Sequence, residues 1–234
     1  MTRYFLLVCL FFIPGLSFFA DTETSQSTHV SVKSPLNEIS WQALYQEMRL
    51  DSIIEPSAFE QAVAGYYKIK NKKREILTLI DFSKASTEKR LFVFDMKNHK
   101  LLFSSLVAHG KNSGGKYATS FSNRNGSYMS SLGFYLTQET YQGSNGYSLR
   151  LNGLEEGIND NARQRAIVVH GASYANPSVI KSGRLGRSFG CPALPQALAR
   201  PIIDTIKGGS VMFIYAPTYI TQSEILKSER NNIL

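Results

Sequence analysis

Acidic residues are the scarcer charge in this chain: 18 Asp and Glu stand against 26 Lys and Arg, a formal charge of +8 over 234 residues. No zinc-finger spacing, phosphate-binding glycine loop or basic helix accompanies that surplus, so nothing here reads nucleic acid. The one basic run, Lys70 to Arg74, reads as a solvated face. The surplus favours other anionic partners, a membrane surface or an anionic cell-wall polymer. Charged residues make up only 19% and hydrophobic ones 43%, which excludes a disordered chain and allows a sizeable core. Cysteine is scarcer still, with only Cys9 and Cys191. Histidine is limited to His29, His99, His109 and His170, and none of the first three falls at a ligand spacing from the thiol. A metal site is therefore not expected. No internal repeat is present.

Long apolar runs are also missing, with one exception. Residues 1–20 read MTRYFLLVCLFFIPGLSFFA: Arg3, an apolar stretch from Tyr4 to Ile13, the helix-breaking Pro14-Gly15, then small residues Ser17 and Ala20. That layout is a secretory signal peptide cleaved after Ala20, and Pro14 interrupts it well short of the roughly 20 apolar residues that a retained anchor needs. Val8 stands before Cys9 where a lipoprotein signal carries a small residue. The expected protein is exported, has no stable membrane span after cleavage, and retains one thiol, Cys191. A single thiol outside the cell makes no internal disulfide, so it is either deeply buried or chemically used.

Residues 21–35 lack apolar periodicity and read as a flexible lead-in. Helical spacing appears over Glu38–Leu50, then again from Phe59 through Ala62, Val63 and Tyr66, with Ser57 and Glu60 at capping-box spacing. From Ile76 the period changes to short strands over 76–82, 90–96 and 100–108. Further strands are expected over 132–137, 147–151, 167–169 and 211–215, with a helix over 195–207 that Pro201 restarts and Gly208-Gly209 closes. The polar tail from Thr218 suits a short helix. Tyr117, Phe121, Tyr128, Phe134, Tyr141 and Tyr147 suit either a ligand groove or the core, and in a β-rich chain such rings are more often core.

The stretch that concentrates chemistry is VVHGASYANPSVIKSGRLGRSFGCPALP, residues 168–195. A β-branched run delivers His170 at its end, followed by Gly171. A loop containing Gly183, Arg184, Gly186 and Arg187 leads to Ser188-Phe189-Gly190-Cys191-Pro192. A thiol paired with an imidazole can attack a carbonyl. His170, Arg187 and the N-terminus of the helix after Pro192 would all favour the thiolate, and the amides around Gly190 and Cys191 suit an oxyanion. His109, at a strand end before Gly110, reads as either a groove residue or a solvent-facing turn residue. The bland alternative makes His170 a satisfied core histidine and Cys191 a small buried hydrophobe.

His170-Gly171, a glycine-bearing loop and Ser188-x-Gly190-Cys191 resemble the signature of the YkuD-type L,D-transpeptidases of bacterial cell walls. VAHGKNSGGKYATSFSNRNGSYMSSLGFYLT (107–137), YQGSNGYSLRLNGLEEGIND (141–160) and GRLGRSFGCPALP (183–195) extend the resemblance to about residues 75–216. It implies a mainly β, α+β fold: a β-sandwich-like catalytic domain with helices before it and a short helix after the cysteine. The implied organisation is a signal peptide over 1–20, lead-in and helices over 21–72, the catalytic domain over 73–217 and a tail over 218–234. Cys191 would be the nucleophile and His170 its base, acting on peptidoglycan stem peptides in the periplasm or cell envelope by a chemistry that needs no cofactor. Arg184, Arg187, Ser188, Gly171, Asn152 and His109 would contact substrate. Two positions depart from the family: Phe189 stands where a second histidine is usual, and Ala193 where an Arg or Asn is common. The competing readings are an L,D-carboxypeptidase at the same site, a wall-binding module with a decayed centre, and a papain-like or amidase-type hydrolase. The last ranks low because its cysteine precedes its histidine in the chain. A structural β domain with incidental Cys and His ranks last.

Overall fold

The computed structural model describes residues 40–219. The leader, the lead-in and all but the first two residues of the tail lie outside them. Helix α1 spans Trp41–Glu47, and Ser40 caps it by accepting from the Ala43 amide at 3.2 Å. Helix α2 spans Pro56–Lys68 and buries Phe59, Ala62, Val63 and Tyr66, the set that the helical spacing picks out. Its start corrects the capping-box expectation. Glu55 is the N-cap and makes no side-chain cap bond; Pro56 fills the first helical position with no N–H to leave unsatisfied, and the Ala58 and Phe59 amides donate to the Glu55 carbonyl at 3.1 and 3.2 Å. Ser57 Oγ lies instead 3.2 Å from the Tyr215 hydroxyl.

The strands are β1 (Ile76–Asp81), β2 (Leu91–Asp95), β3 (Lys100–Ser105), β4 (Gly133–Gly143), β5 (Gly146–Gly153), β6 (Val168–Gly171), β7 (Ala193–Leu194) and β8 (Val211–Tyr215). They form one mixed sheet in the order β3-β2-β1-β8-β4-β5-β6-β7. The mainly β, α+β class expected from the sequence is the observed one. β1 and β8 run parallel and are buried at every position, as strands covered on both faces must be. β4 and β5 form a hairpin closed by Ser144-Asn145, with Gly146 at φ 74°. Helix α3 (Gln196–Ile206) runs through Pro201 without a break, and Gly208 and Gly209 follow it at positive φ.

α1 and α2 share one hydrophobic core with the strands: Phe59 packs edge-on against Phe94 of β2 at 5.4 Å between ring centres. A smaller apolar cluster of Leu106, Ala108, Ala172, Ala175, Leu185 and Ala193 lies beneath the loop that leads to the cysteine. Past β3 the chain returns to the far edge of the sheet, where Ala108 bridges Ala193 of β7. That bridge links the two edge strands and sets the stage for the thiol.

Candidate active site

Ala193 is the hub. On one side it pairs with His170 of β6, on the other with Ala108. The next rungs outward are Gly110 bridging Ser188, with Ser188 N–H donating to the His109 carbonyl at 2.9 Å and Lys111 N–H to the Ser188 carbonyl at 2.8 Å. This double ladder holds the Ser188–Cys191 turn between two histidine-bearing segments. Gly190 sits at φ 127°, and a Cβ there would lie 2.8 Å from the Met129 carbonyl oxygen and 2.9 Å from Ile167 Cδ1. Only glycine fits.

Cys191 is partly exposed. Its sulfur accepts the Val168 N–H at 3.5 Å and lies 3.7 Å from the Ala166 carbonyl. Burial pushes the thiol pKa up, against the pull of the Val168 amide and the Arg165 guanidinium. His170 is buried, which lowers its pKa, and its Nδ1 lies 3.0 Å from the Gly171 carbonyl. A carbonyl only accepts, so Nδ1 carries the proton and Nε2 is the open acceptor. Among the described residues the two side chains make no hydrogen bond to one another. The shifts favour a neutral thiol and a neutral imidazole, not the ion pair considered from sequence.

The other expected contributors divide. Ser188 Oγ donates to the Cys191 carbonyl at 2.6 Å and accepts the Gly190 N–H at 3.1 Å, so it braces the turn. The Gly190 amide is thereby engaged and is not free for an oxyanion. Gly171 is a packing position, where a Cβ would fall 2.9 Å from that of Ala199 on α3. Arg187 is spent on the Lys111 and Gly114 carbonyls, both at 2.9 Å, and Arg184 on the Leu185 carbonyl at 3.1 Å. α3 begins only at Gln196, with β7 intervening, so its N-terminus does not follow the cysteine directly. Asn152 lies on β5 opposite Leu136, beyond the last β5–β6 pair, and its side chain makes no hydrogen bond among the described residues.

His109 is neither in a groove nor facing solvent. It is buried; Nδ1 accepts from Arg90 Nη2 at 2.8 Å and Nε2 lies 3.3 Å from the Gly114 carbonyl. Burial and the Arg90 charge lower its pKa to about 4. Of the six aromatics considered for a groove, Phe134 stacks on Phe213 and Phe121 on Phe82, whereas Tyr117 and Tyr128 are exposed.

Sequence reading missed Arg165. Its half-buried guanidinium donates to the Ser122 carbonyl (2.7 Å), Ser127 Oγ (3.2 Å), the Met129 carbonyl (2.6 Å) and Ser131 Oγ (3.3 Å). Among the described residues it forms no salt bridge, and its Nη2 would stand 3.3 Å from a Cβ on Gly190. The available signal was an arginine at the entry to the histidine strand; its partners lie more than 30 residues earlier. Among the described residues no cluster of His, Cys, Asp or Glu suits a metal ion, and no helix is long and apolar enough to cross a membrane.

A family model described as the L,D-transpeptidase catalytic domain matches residues 50–215. Solved structures similar to this chain include an L,D-transpeptidase from Mycobacterium smegmatis, at 16% identity over 61% of this chain and 59% of that one, with a TM-score of 0.37. An L,D-transpeptidase from Stackebrandtia nassauensis aligns at 12% identity over 76% of each chain, TM-score 0.37. The helical cell shape determining protein Pgp2 from Campylobacter jejuni aligns at 13% identity over 64% of this chain and 52% of that one, TM-score 0.40. The chain thus spans about three fifths of the length of the mycobacterial structure. No curated protein matches the sequence.

Proposed function

This chain belongs to the L,D-transpeptidase catalytic domain family, and from that premise we propose that it is an exported cysteine acyltransferase acting on peptidoglycan stem peptides, with Cys191 as nucleophile and His170 as base. One observation carries the reading. The β6–β7 pairing brings His170 beside the Ser188–Cys191 turn, and the Gly171 carbonyl fixes the imidazole in the tautomer whose Nε2 can accept a proton.

In this reading Nε2 removes the thiol proton as sulfur attacks the peptide carbonyl, forming the C–S bond. The tetrahedral oxyanion meets the Cys191 amide, since the Gly190 amide is taken by Ser188 Oγ. Collapse breaks the C–N bond, the imidazolium returns its proton to the departing amine, and a thioester remains. An acceptor amine then attacks the thioester carbonyl and gives its proton to Nε2, and the sulfur leaves and is reprotonated. Water in place of the amine gives L,D-carboxypeptidase activity. A resting neutral pair makes proton transfer part of the attack itself, consistent with burial raising the thiol pKa and lowering that of the imidazole.

The test is acylation by a carbapenem read by intact mass. Wild-type protein gains one drug mass, and Cys191→Ala, still folded, gains none. An unmodified wild type, or an equal adduct on the variant, rejects the assignment. A muropeptide digest before and after treatment distinguishes cross-linking from trimming and from binding without turnover.

A further inference from the structure

The most exposed large apolar side chain in the described protein is Phe189, at 67%, two residues before the thiol. It does not stand alone. Tyr128, 42% exposed, tilts against it at 4.9 Å between ring centres, and Lys111 Nζ lies 4.4 Å from the Tyr128 ring centre and 4.8 Å from that of Phe189. The arrangement is held by backbone. Asn112 N–H donates to the Tyr128 carbonyl at 3.2 Å, and Ser130 Oγ accepts the Gly110 N–H at 3.0 Å while donating to the Gly190 carbonyl at 3.1 Å. A Cβ on Gly110 would lie 2.6 Å from the Tyr128 oxygen, so the two segments touch at that glycine. Tyr128 itself sits at φ 54°, a costly conformation for a bulky residue and one that recurs at ligand-contacting positions.

Charge around this pair is one-sided. No Asp or Glu occurs between Asp95 and Glu139, or between Asp160 and Asp204, the two stretches that build the site. Among the described residues Lys111, Lys116, Arg124, Arg184 and Arg187 enter no salt bridge. An ammonium resting on two ring faces keeps its outer side in water and free for an anion. Two exposed rings tied in place by backbone present apolar area at little entropic cost to whatever docks there.

We propose that Lys111, Tyr128 and Phe189 form a subsite beside Cys191 that takes a free carboxylate of the peptide acyl donor, the ammonium pairing with the carboxylate and the rings flanking the chain that bears it. The proposal rests on the acyl-transfer reading of Cys191 for the identity of the donor. It gives Phe189 a task of its own at the position where the resemblance leads one to expect histidine.

The test uses Cys191→Ala protein, which binds without turning over, and a stem-like tetrapeptide prepared as the free acid and with each carboxylate converted in turn to the carboxamide. Calorimetry should find one carboxamide bound about five- to tenfold more weakly than the free acid, the range of a partly exposed ion pair beside aromatic surface. That preference should fall to near unity when Lys111→Met is added and should shrink with salt. Phe189→Ala should weaken acid and amide alike, with unchanged melting temperatures confirming the fold of both variants. Equal binding of acid and amides, no binding at all, or a preference that survives Lys111→Met overturns the subsite. Carbapenem acylation of wild-type protein separately decides the Cys191 reading, so each can fail without the other.

Discussion

Two histidines flank the same short ladder, and their local sequences are nearly the same: Val107-Ala108-His109-Gly110 on one side, Val168-Val169-His170-Gly171 on the other. Both are buried, and in both burial lowers the pKa. What separates them is the occupancy of their nitrogens. His109 has both engaged, one by Arg90 and one by the Gly114 carbonyl. Among the described residues, His170 has only Nδ1 engaged, by the Gly171 carbonyl. An imidazole with two fixed partners is a structural crosslink, whereas one with a fixed donor and an open acceptor is able to move a proton, the role proposed for His170. The difference originates in Arg90, a fully buried guanidinium that also donates to the Val107 and Lys84 carbonyls and lies over the Phe82 ring. Burial lowers its pKa to about 9, which leaves it charged at neutral pH.

The largest effect should come from breaking the His170 side alone. His170→Gln should slow carbapenem acylation of Cys191 about 10²–10⁴-fold, the usual contribution of a positioned general base, with little change in melting temperature. His109→Gln, by contrast, should leave the acylation rate within a few-fold and lower stability. If the two substitutions exchange these outcomes, the assignment of roles is reversed. Next in size is Arg90→Met. It strands the Val107 and Lys84 carbonyls and the His109 Nδ1 without a donor, which should cost about 3 kcal/mol in urea unfolding at neutral pH.

That the two His-Gly sites diverge could not be read from the sequence, because Arg90 lies 19 residues before His109 and its burial depends on the assembled sheet. Elements whose signal is local were legible. The spacing of Phe59, Ala62, Val63 and Tyr66 gave α2, and the apolar runs gave β1, β2 and β8. The His170 strand and the Gly190-Cys191 turn were legible too, because a strand end and a glycine-bearing turn are written in adjacent residues. β7 was not: two residues carry no periodicity, and it exists because Ala108 and His170 pair with it from either side. The loop from Ser122 to Ser131 was equally opaque, since Arg165 holds it from far along the chain.

The same comparison yields a pH dependence. Folding holds His109 near 4 against an ordinary value of 6.5, so between those values the unfolded chain binds more protons. Stability therefore falls as pH drops from about 6.5 towards 4, by up to about 3 kcal/mol from this group. His170 acts in the same direction, and buried Asp81, whose pKa burial raises, acts in the opposite one. The informative quantity is thus the difference between wild type and His109→Gln across urea titrations from pH 4 to 7. The variant should lose most of the slope; a slope equal to that of wild type would mean that His109 does not titrate as its surroundings require.

The smallest effect tests whether Arg165 belongs to the chemical side of the ladder or only to its scaffold. Its guanidinium ties the 122–131 loop together and opposes the burial that raises the Cys191 pKa. The two roles predict opposite signs. Removing a cation near sulfur raises the thiol pKa, so Arg165→Met should shift the pH midpoint of iodoacetamide alkylation upward and lower the rate at neutral pH about tenfold, one pK unit of thiolate population. Loosening the loop alone would expose the sulfur, relieve the burial that raises its pKa, move the midpoint downward and raise the rate. Tyr174, in the loop after β6, is the other titratable group that senses the thiol, and it is retained in this variant, as are His170 and the Tyr135 beside Arg165. Arg165→Lys keeps the charge but not the fork of donors that binds the loop. It should therefore recover most of the midpoint while recovering little of any stability lost.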